Sequence, residues 1–376
     1  MTQTRTQVPF LDLAGQHQEI EQELLDAVRP ILRNAAFVGG SPVDRFEAAY
    51  AEAFGLPHAV SVKSGTAALQ LGLEAMGLGH EDEVLVPAFT FIATAASVVR
   101  AGARPVFVDV DPETACMDPA AAARAITPRT RAMIPVHLYG HPAPIRELVD
   151  LAGARGLKVL EDCAQSHFAT QDGALTGTFG DAGAFSFYPS KNLGAAGDAG
   201  CFITRDAALA DKVRRLANHG RTDRYHHGYL GWNERLDAIQ AAVLTVKLRH
   251  IARWTEERRR AAARYRDLLA GAAPLGAPLF LPVERQGAKH VYHLFVVRHP
   301  RREAIVEALT REGVGTATHY PTTLPDQPAF QALGLTNGSW PQSDAWASEC
   351  FSLPLYPEIA PEHQERVAEV LRGIPA

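Results

Sequence analysis

With 376 residues, 47% of them hydrophobic, and 30 glycines, the chain is long enough for one large domain plus a smaller one and too apolar to stay disordered. Lys and Arg total 37 against 42 Asp and Glu, and no like-charged run exceeds the three arginines at 258–260, which excludes a nucleic-acid footprint or a polybasic membrane patch and leaves a small molecule as the expected partner. Residues 1–10 lack the charged-then-apolar pattern of a signal peptide and no run of about 18 apolar residues occurs, so a cytoplasmic location is expected.

From residue 59 onward, short apolar runs alternate with helical patterns. The runs at 59–62, 83–86, 105–108, 132–136 and 157–160 predict parallel strands joined by helices. Leu69, Leu73 and Met76, at i, i+4 and i+7, predict a helix between the first two runs, and the Ala- and Val-rich residues 94–101 predict the next. After Asp162 the rhythm changes: 182–187 and 201–204 are strand-like on either side of a glycine-rich stretch at 194–200, which fits two strands around a tight loop. Leu236, Ile239, Val243, Val246, Ile251 and Trp254 trace a helical stripe that continues towards Tyr265 and Leu269, read as one long or bent helix between domains. Beyond 271–282, a strand (291–297), a helix (302–312) and a last helix (362–371) make a small unit. The expected fold class is α/β: a large domain with a mostly parallel sheet flanked by helices, plus a smaller α+β C-terminal domain. The division places an N-terminal segment at 1–30, the large domain at 31–246 and the small one at 247–376. Four scattered cysteines, Cys116, Cys163, Cys201 and Cys350, with no CxxC pair, suggest reduced, mostly buried thiols and no zinc site.

The strand at 157–160 runs into Glu161-Asp162-Cys163-Ala164-Gln165-Ser166-His167, at the sheet edge where open α/β folds bind ligands. A carboxylate there can hold a protonated pyridine nitrogen, although Asp162 by itself also reads as a strand-end cap. Phe185-Ser186-Phe187-Tyr188-Pro189-Ser190-Lys191-Asn192 sets a lysine straight after a strand; once desolvated, its amine would be nucleophilic enough to condense with an aldehyde and later to carry a proton. At Ser64-Gly65-Thr66 a strand passes directly into a helix, so free backbone N–H groups and the Thr66 hydroxyl either hold a phosphate or merely cap the helix. Ser186 offers a second phosphate donor. His137 and His141 suggest a metal pair, but no third ligand is in view and none is expected. The glycines at 194–200 precede a strand, not a helix, which argues against a nucleotide-binding dehydrogenase.

These motifs, together with Pro9-Phe10-Leu11-Asp12-Leu13, Phe37-Val38-Gly39-Gly40, Pro87-Ala88-Phe89-Thr90-Phe91, Pro135-Val136-His137-Leu138-Tyr139-Gly140 and Asn233-Glu234-Arg235-Leu236-Asp237-Ala238-Ile239-Gln240-Ala241-Ala242, make a chain that resembles the DegT/DnrJ/EryC1/StrS sugar aminotransferases over nearly its whole length. The resemblance implies the pyridoxal-phosphate-dependent transferase fold of type I and a homodimer with the cofactor at its interface. It further implies that Lys191 carries pyridoxal 5'-phosphate, Asp162 pairs with the ring nitrogen, Gln165 contacts the ring hydroxyl and Phe89 lies on the ring face. Gly65, Thr66 and Ser186 would bind the cofactor phosphate, and Asn233 the phosphate of the neighbouring subunit. Without the resemblance, Phe89 reads equally as core and Asn233 as a helix cap.

The activity so implied is ping-pong transamination, from an amino acid such as L-glutamate to a keto sugar linked to a nucleotide. Gln165 stands where many relatives acting at C-4 have histidine, which favours a 3-keto sugar. Tyr188, His319 and Tyr320 are the candidates for sugar contacts. Two departures bear on the pocket: Thr322-Thr323-Leu324-Pro325 follows His319-Tyr320-Pro321 where relatives carry Ile-Pro-Leu-His, and Phe168 replaces a usual glycine, either narrowing the site or filling core. The alternatives are an aminocyclitol or keto-polyol aminotransferase, or a catalytically silent ligand-binding homologue; related dehydratases have histidine in place of Lys191.

Overall fold

The computed structural model describes residues 7–336 and 338–375, so residues 1–6 of the polar start lie outside the described part. The central strands are β1 (His58–Val62), β2 (Glu83–Pro87), β3 (Arg104–Val108), β4 (Thr130–Met133) and β5 (Lys158–Asp162), followed, after a small hairpin of β6 (Thr170–Gln171) and β7 (Ala174–Leu175), by β8 (Ala182–Ser186) and β9 (Gly200–Thr204). Seven of them form one sheet in the order β1-β9-β8-β5-β4-β2-β3. Among these strands β9 alone runs antiparallel, to both β1 and β8; the pairs from β8 to β3 are parallel.

Helices cover both faces, which is why β2 is buried at every position. The helix Gly65–Ala75 carries the chain from β1 at one edge towards β2 near the other, so two strands adjacent in sequence are not neighbours in space. Its residues Leu69, Leu71 and Leu73 are buried against Val60, Leu160 and Phe202 in one core, and each contributes about 1.5–3 kcal/mol by leaving water. On the other face, Ile145 and Leu148 of the helix Ile145–Arg155 pack in a second core with Leu85 and Met133.

Three sequence expectations are adjusted. The run at 132–136 stops pairing as β4 at Met133, because Pro135 has no N–H for the ladder; Val136 rejoins it by a single bridge to Asp162. The long apolar stripe is two helices, Ala238–Leu248 and Ile251–Leu269, broken at Arg249 and His250. The strand expected at 291–297 is shorter: after β10 (Ala288–Lys289), which joins the hairpin, β11 (Phe295–Arg298) pairs with β12 (Cys350–Leu353), and residues 291–294 run as irregular chain. A third core unites Tyr265, Phe295, Leu309, Phe351 and Val367, and Val8 inserts into it from the N-terminal segment. All four cysteines are free and buried. Among the described residues no helix is long and apolar enough to cross a membrane.

Candidate active site

The carboxyl edge of the sheet gathers residues that the sequence spreads from Ser64 to Ala199. β1 delivers Ser64, Gly65 and Thr66; the segment after β2 delivers Phe91; β5 ends on Asp162 and β8 on Ser186. Because β9 runs the opposite way, the residues before it, Asp198 and Ala199, return to the same edge. Together with Lys191 they line a cavity of about 540 Å³.

Asp162 and Lys191 face this cavity with opposite needs. Asp162 is 5% exposed; its Oδ2 accepts from the Thr94 hydroxyl at 2.9 Å and its Oδ1 from the Ala164 N–H at 3.1 Å. Burial pushes its pKa up, against the pull of those two donors and of the Lys191 charge. Burial lowers Lys191 to about 8, while Asp162 acts to raise it. A free amine there is therefore about half neutral near pH 8 and competent as a nucleophile or base.

The other end of the cavity is built for an anion. Ser64 caps the helix Gly65–Ala75 by accepting from Ala67 N–H at 3.1 Å, so the N–H groups of Gly65 and Thr66 remain free of the cap. A Cβ on Gly65 would lie 2.7 Å from the Ser186 Cβ, and one on Gly200 2.3 Å from the Ser64 carbonyl carbon. Three backbone segments thus meet without intervening side chains, which fits a phosphate drawn up to backbone N–H groups and the Thr66 and Ser186 hydroxyls. Below them, His167 Nε2 donates to the Ser186 carbonyl at 2.8 Å and its Nδ1 accepts from the Tyr50 hydroxyl at 3.1 Å. Burial holds this ring neutral, with a pKa of about 3.

Gln165 is oriented by its backbone neighbours. Its Oε1 accepts from Tyr139 N–H at 2.6 Å, a bond made possible by the left-handed Tyr139 (φ 60°), so its amide NH₂ points to the Tyr320 hydroxyl at 3.2 Å. His319 Nδ1 bonds the Ser352 hydroxyl at 2.8 Å, and burial lowers its pKa to about 4. Tyr188, 54% exposed, stands at the mouth.

A cavity pairing a buried carboxylate with a depressed lysine, next to an anion cradle, is the equipment of a cofactor transaminase, and the comparisons agree. Residues 18–372 match the DegT/DnrJ/EryC1/StrS aminotransferase family. The chain belongs to that family. It is a pyridoxal-phosphate-dependent aminotransferase, and the cradle and the Asp162–Lys191 pair fit that cofactor. It is 44% identical, over 99% of each chain, to a UDP-N-acetyl-3-dehydro-alpha-D-glucosamine 3-aminotransferase of Acidithiobacillus ferrooxidans. It is 42% identical, over 96% of this chain and 97% of the other, to a pleiotropic regulatory protein of Geobacillus stearothermophilus. Among solved structures, S. venezuelae DesV in complex with a ketimine intermediate superposes with a TM-score of 0.94 at 40% identity, covering 97% of this chain and 98% of that one.

In this aminotransferase one expected site residue lies elsewhere. Phe89 is fully buried with Leu85, Met133 and Trp346 and does not line the cavity; Phe91, two residues on and 53% exposed, does. β2 ends at Pro87 and the chain bends through 88–90, so the two rings, two residues apart, part ways there and their spacing could not choose between them. Asn233 is exposed, bonded to the Arg235 guanidinium at 2.8 Å, and away from this chain's own cavity. Phe168 packs on Phe54 at 4.9 Å and is core, not pocket wall.

Sequence reasoning missed Thr94, whose signal was a hydroxyl four residues after Thr90 at the start of the helix Ala93–Arg100, and also Asn192 and His293. His137 does not pair with His141. Its Nδ1 accepts from Ala143 N–H and its Nε2 donates to Glu161, whose carboxylate also takes the N–H groups of Gly177, Phe179 and Gly180 at 2.7–2.8 Å. Although His137, Glu161 and Cys163 come within 4.8 Å of one another, both histidine nitrogens are already engaged. This buried knot pins the 161–180 segment and so the strand end that presents Asp162.

Proposed function

We propose that this enzyme moves an amino group from an amino acid, L-glutamate by preference, to the C-3 ketone of a hexose linked to a nucleotide, as a step in deoxyamino-sugar biosynthesis. The observation that carries the reading is the placing of Lys191 and Asp162 in one cavity beside the Gly65–Ser186 cradle. The 3-keto substrate named for the Acidithiobacillus relative and the presence of Gln165 support the position.

Pyridoxal phosphate, when bound, supplies an aldehyde to capture the amine and a ring that withdraws electrons. Lys191 would hold the cofactor, and its amine would carry the proton in both half-reactions. Asp162, steadied by Thr94 and Ala164, would keep a proton on the ring nitrogen, and Gln165, whose amide NH₂ already donates to Tyr320, would serve the ring hydroxyl. The N–H groups of Gly65 and Thr66, with the Thr66 and Ser186 hydroxyls, would hold the phosphate. Phe91, which lines the cavity, would take the place on the ring face first expected of Phe89. Tyr188, His319 and Tyr320 form the sugar end. Asn233 serves the site of a second copy in a homodimer, a reading supported by the exposed apolar residues Val38, Tyr229, Leu230 and Trp232. We place the enzyme in the cytoplasm, with the large domain at 31–246 and the small one at 247–376.

Purified enzyme should show a visible cofactor band that shifts on adding glutamate, and borohydride should fix the cofactor covalently to Lys191. Absence of the cofactor after reconstitution would sink the role given to Lys191. Amine transfer from the loaded enzyme to a panel of nucleotide-linked 3-keto and 4-keto sugars and free keto-polyols, with the new C–N bond located by NMR, tests the substrate; preference for a keto-polyol would overturn it.

A further inference from the structure

Tyr139 bonds three separate parts of the molecule around the cavity, and the reaction as described uses only one of those bonds. It lies in the turn beyond Val136 with a left-handed backbone (φ 60°, ψ 2°), followed by a left-handed Gly140 (φ 97°). Glycine is required at 140: a Cβ there would lie 2.9 Å from Val291 Cγ2, 3.0 Å from His293 N and 3.1 Å from the Gln165 carbonyl oxygen. A tyrosine, which has a Cβ, keeps a left-handed backbone only where the surrounding contacts over-determine it. Three hydrogen bonds do so here. The Tyr139 N–H donates to Gln165 Oε1 at 2.6 Å, its carbonyl accepts from the Leu294 N–H at 3.3 Å, and its hydroxyl donates to the His319 carbonyl.

The hydroxyl bond reaches across 180 residues of sequence. Tyr139 is buried, with its ring 6.1 Å from that of Trp346 in the second core, and burial pushes its pKa well above the usual tyrosine value, so the hydroxyl remains a protonated donor at neutral pH. The next carbonyl along, that of Tyr320, takes the Cys350 thiol at 3.7 Å. On the far side of the segment, His319 Nδ1 bonds the Ser352 hydroxyl and the Phe10 ring stacks on the imidazole at 6.0 Å. The side chains of His319 and Tyr320 both line the cavity, where the Tyr320 hydroxyl accepts from the Gln165 amide. Gln165 and the His319–Tyr320 segment are therefore set from a single residue, the amide by its backbone N–H and the segment by its hydroxyl.

We propose that Tyr139 is a positioning residue for the sugar end of the site: its hydroxyl fixes His319 and Tyr320 at the separation from Gln165 at which a nucleotide-linked sugar is gripped. The backbone bond serves the cofactor end and the side-chain bond the sugar end, so the two can be separated by deleting one oxygen atom. The inference rests on reading His319 and Tyr320 as sugar contacts.

The two half-reactions of the cofactor-loaded enzyme are followed separately in wild type and in Tyr139→Phe, which keeps the ring and the backbone and loses only the hydroxyl. Amine loading from glutamate should stay within about twofold, because the bond to Gln165 remains. In amine transfer to the nucleotide-linked 3-keto sugar that the wild type accepts best, the half-saturating concentration should rise about tenfold, the change expected of one lost hydrogen bond, while the limiting rate stays within about twofold. An unchanged half-saturation, or equal losses in both half-reactions, would overturn the proposal. If Tyr139→Phe does not fold, NMR of the wild type with ¹³C at tyrosine Cζ decides, since deuterating a hydroxyl shifts that carbon. The Tyr139 hydroxyl should exchange slowly with water, and its signal should move when the sugar is added; rapid exchange, or a signal indifferent to the sugar, would refute it. Should the wild type transfer amine to no nucleotide-linked sugar, the parent reading fails instead, and the same comparison on the ketone it does accept still judges Tyr139.

Discussion

Lys191 and Lys247 are both held by burial at a pKa of about 8, and they sit in regions with nothing else in common. Lys191 lines a cavity, faces Asp162 and adjoins an anion cradle. Lys247 is fully buried in the helix Ala238–Leu248, donates to His17 Nε2 at 3.4 Å and lies 5.8 Å from the Trp254 ring centroid, with no carboxylate among the causes of its shift. A lowered lysine pKa therefore does not make an active site; open space for a substrate and a second charge placed across it do.

The largest expected contrast is in activity. Lys191→Ala should lower turnover by at least about 10²–10⁴-fold, the range for losing a positioned proton carrier, while Lys247→Met should leave turnover within about threefold, since it touches no cavity wall. Single-turnover amine transfer measures both, and a severe loss in Lys247→Met with the fold intact would erase the distinction. Asp162→Asn comes next: it retains an acceptor for Thr94 but removes the charge, and should cost about 10²-fold or more, the order seen when a single electrostatic partner of a reacting centre is removed. It should also lower the Lys191 pKa further, because the Asp162 charge acts to raise it; amine labelling against pH reads that shift.

Most of the inner site was legible because its chemistry sits in contiguous runs: Glu161 to His167, Phe185 to Asn192 and Ser64 to Thr66 each place their polar groups at a strand end. What escaped was set by tertiary contact. Phe89 and Phe91 differ only in which one the Trp346 core claims, and Thr94 becomes a ligand of Asp162 across 68 residues of sequence. The break at Arg249 and His250 was hidden for a related reason: the apolar stripe stays in phase through two helices, and only the bend at their junction separates them. Pro135, by contrast, marks the end of β4 in the sequence itself, although the expected strand runs through it to residue 136.

The two lysines also make opposite statements about stability in the cofactor-free protein. Each has a folded pKa below its ordinary 10.5, so the folded state resists carrying the proton. Below about pH 8 each is charged in both states and opposes folding by about 3 kcal/mol; as pH rises from 8 towards 10.5 the unfolded chain holds more protons, and that penalty fades. Lys247→Met should therefore stabilise the protein at pH 7, by about 1–3 kcal/mol after repacking, and should flatten the rise in stability between pH 8 and 10.5. Denaturant unfolding at both pH values checks this; a destabilised variant at pH 7 would mean that the contacts with His17 and Trp254 outweigh the desolvation cost.

The smallest effect tests how the active region differs from the inert one in its supporting contacts. Lys247 has no acid to be tuned, whereas Lys191 faces one that Thr94 holds. Thr94→Val keeps the shape and deletes the hydroxyl, so the Asp162 carboxylate loses a donor that now pulls its pKa down. With burial still pushing up, the acid should stay protonated to a higher pH. The acidic limb of the turnover profile should move to higher pH by about one pH unit, the equivalent of one hydrogen bond to a charged group, with little change on the alkaline side, where Asp162 is ionised in both proteins. A uniform fall across the whole pH range would instead mean that Thr94 acts through packing, and Asp162 would then owe its ionisation to Ala164 and to the lysine it faces.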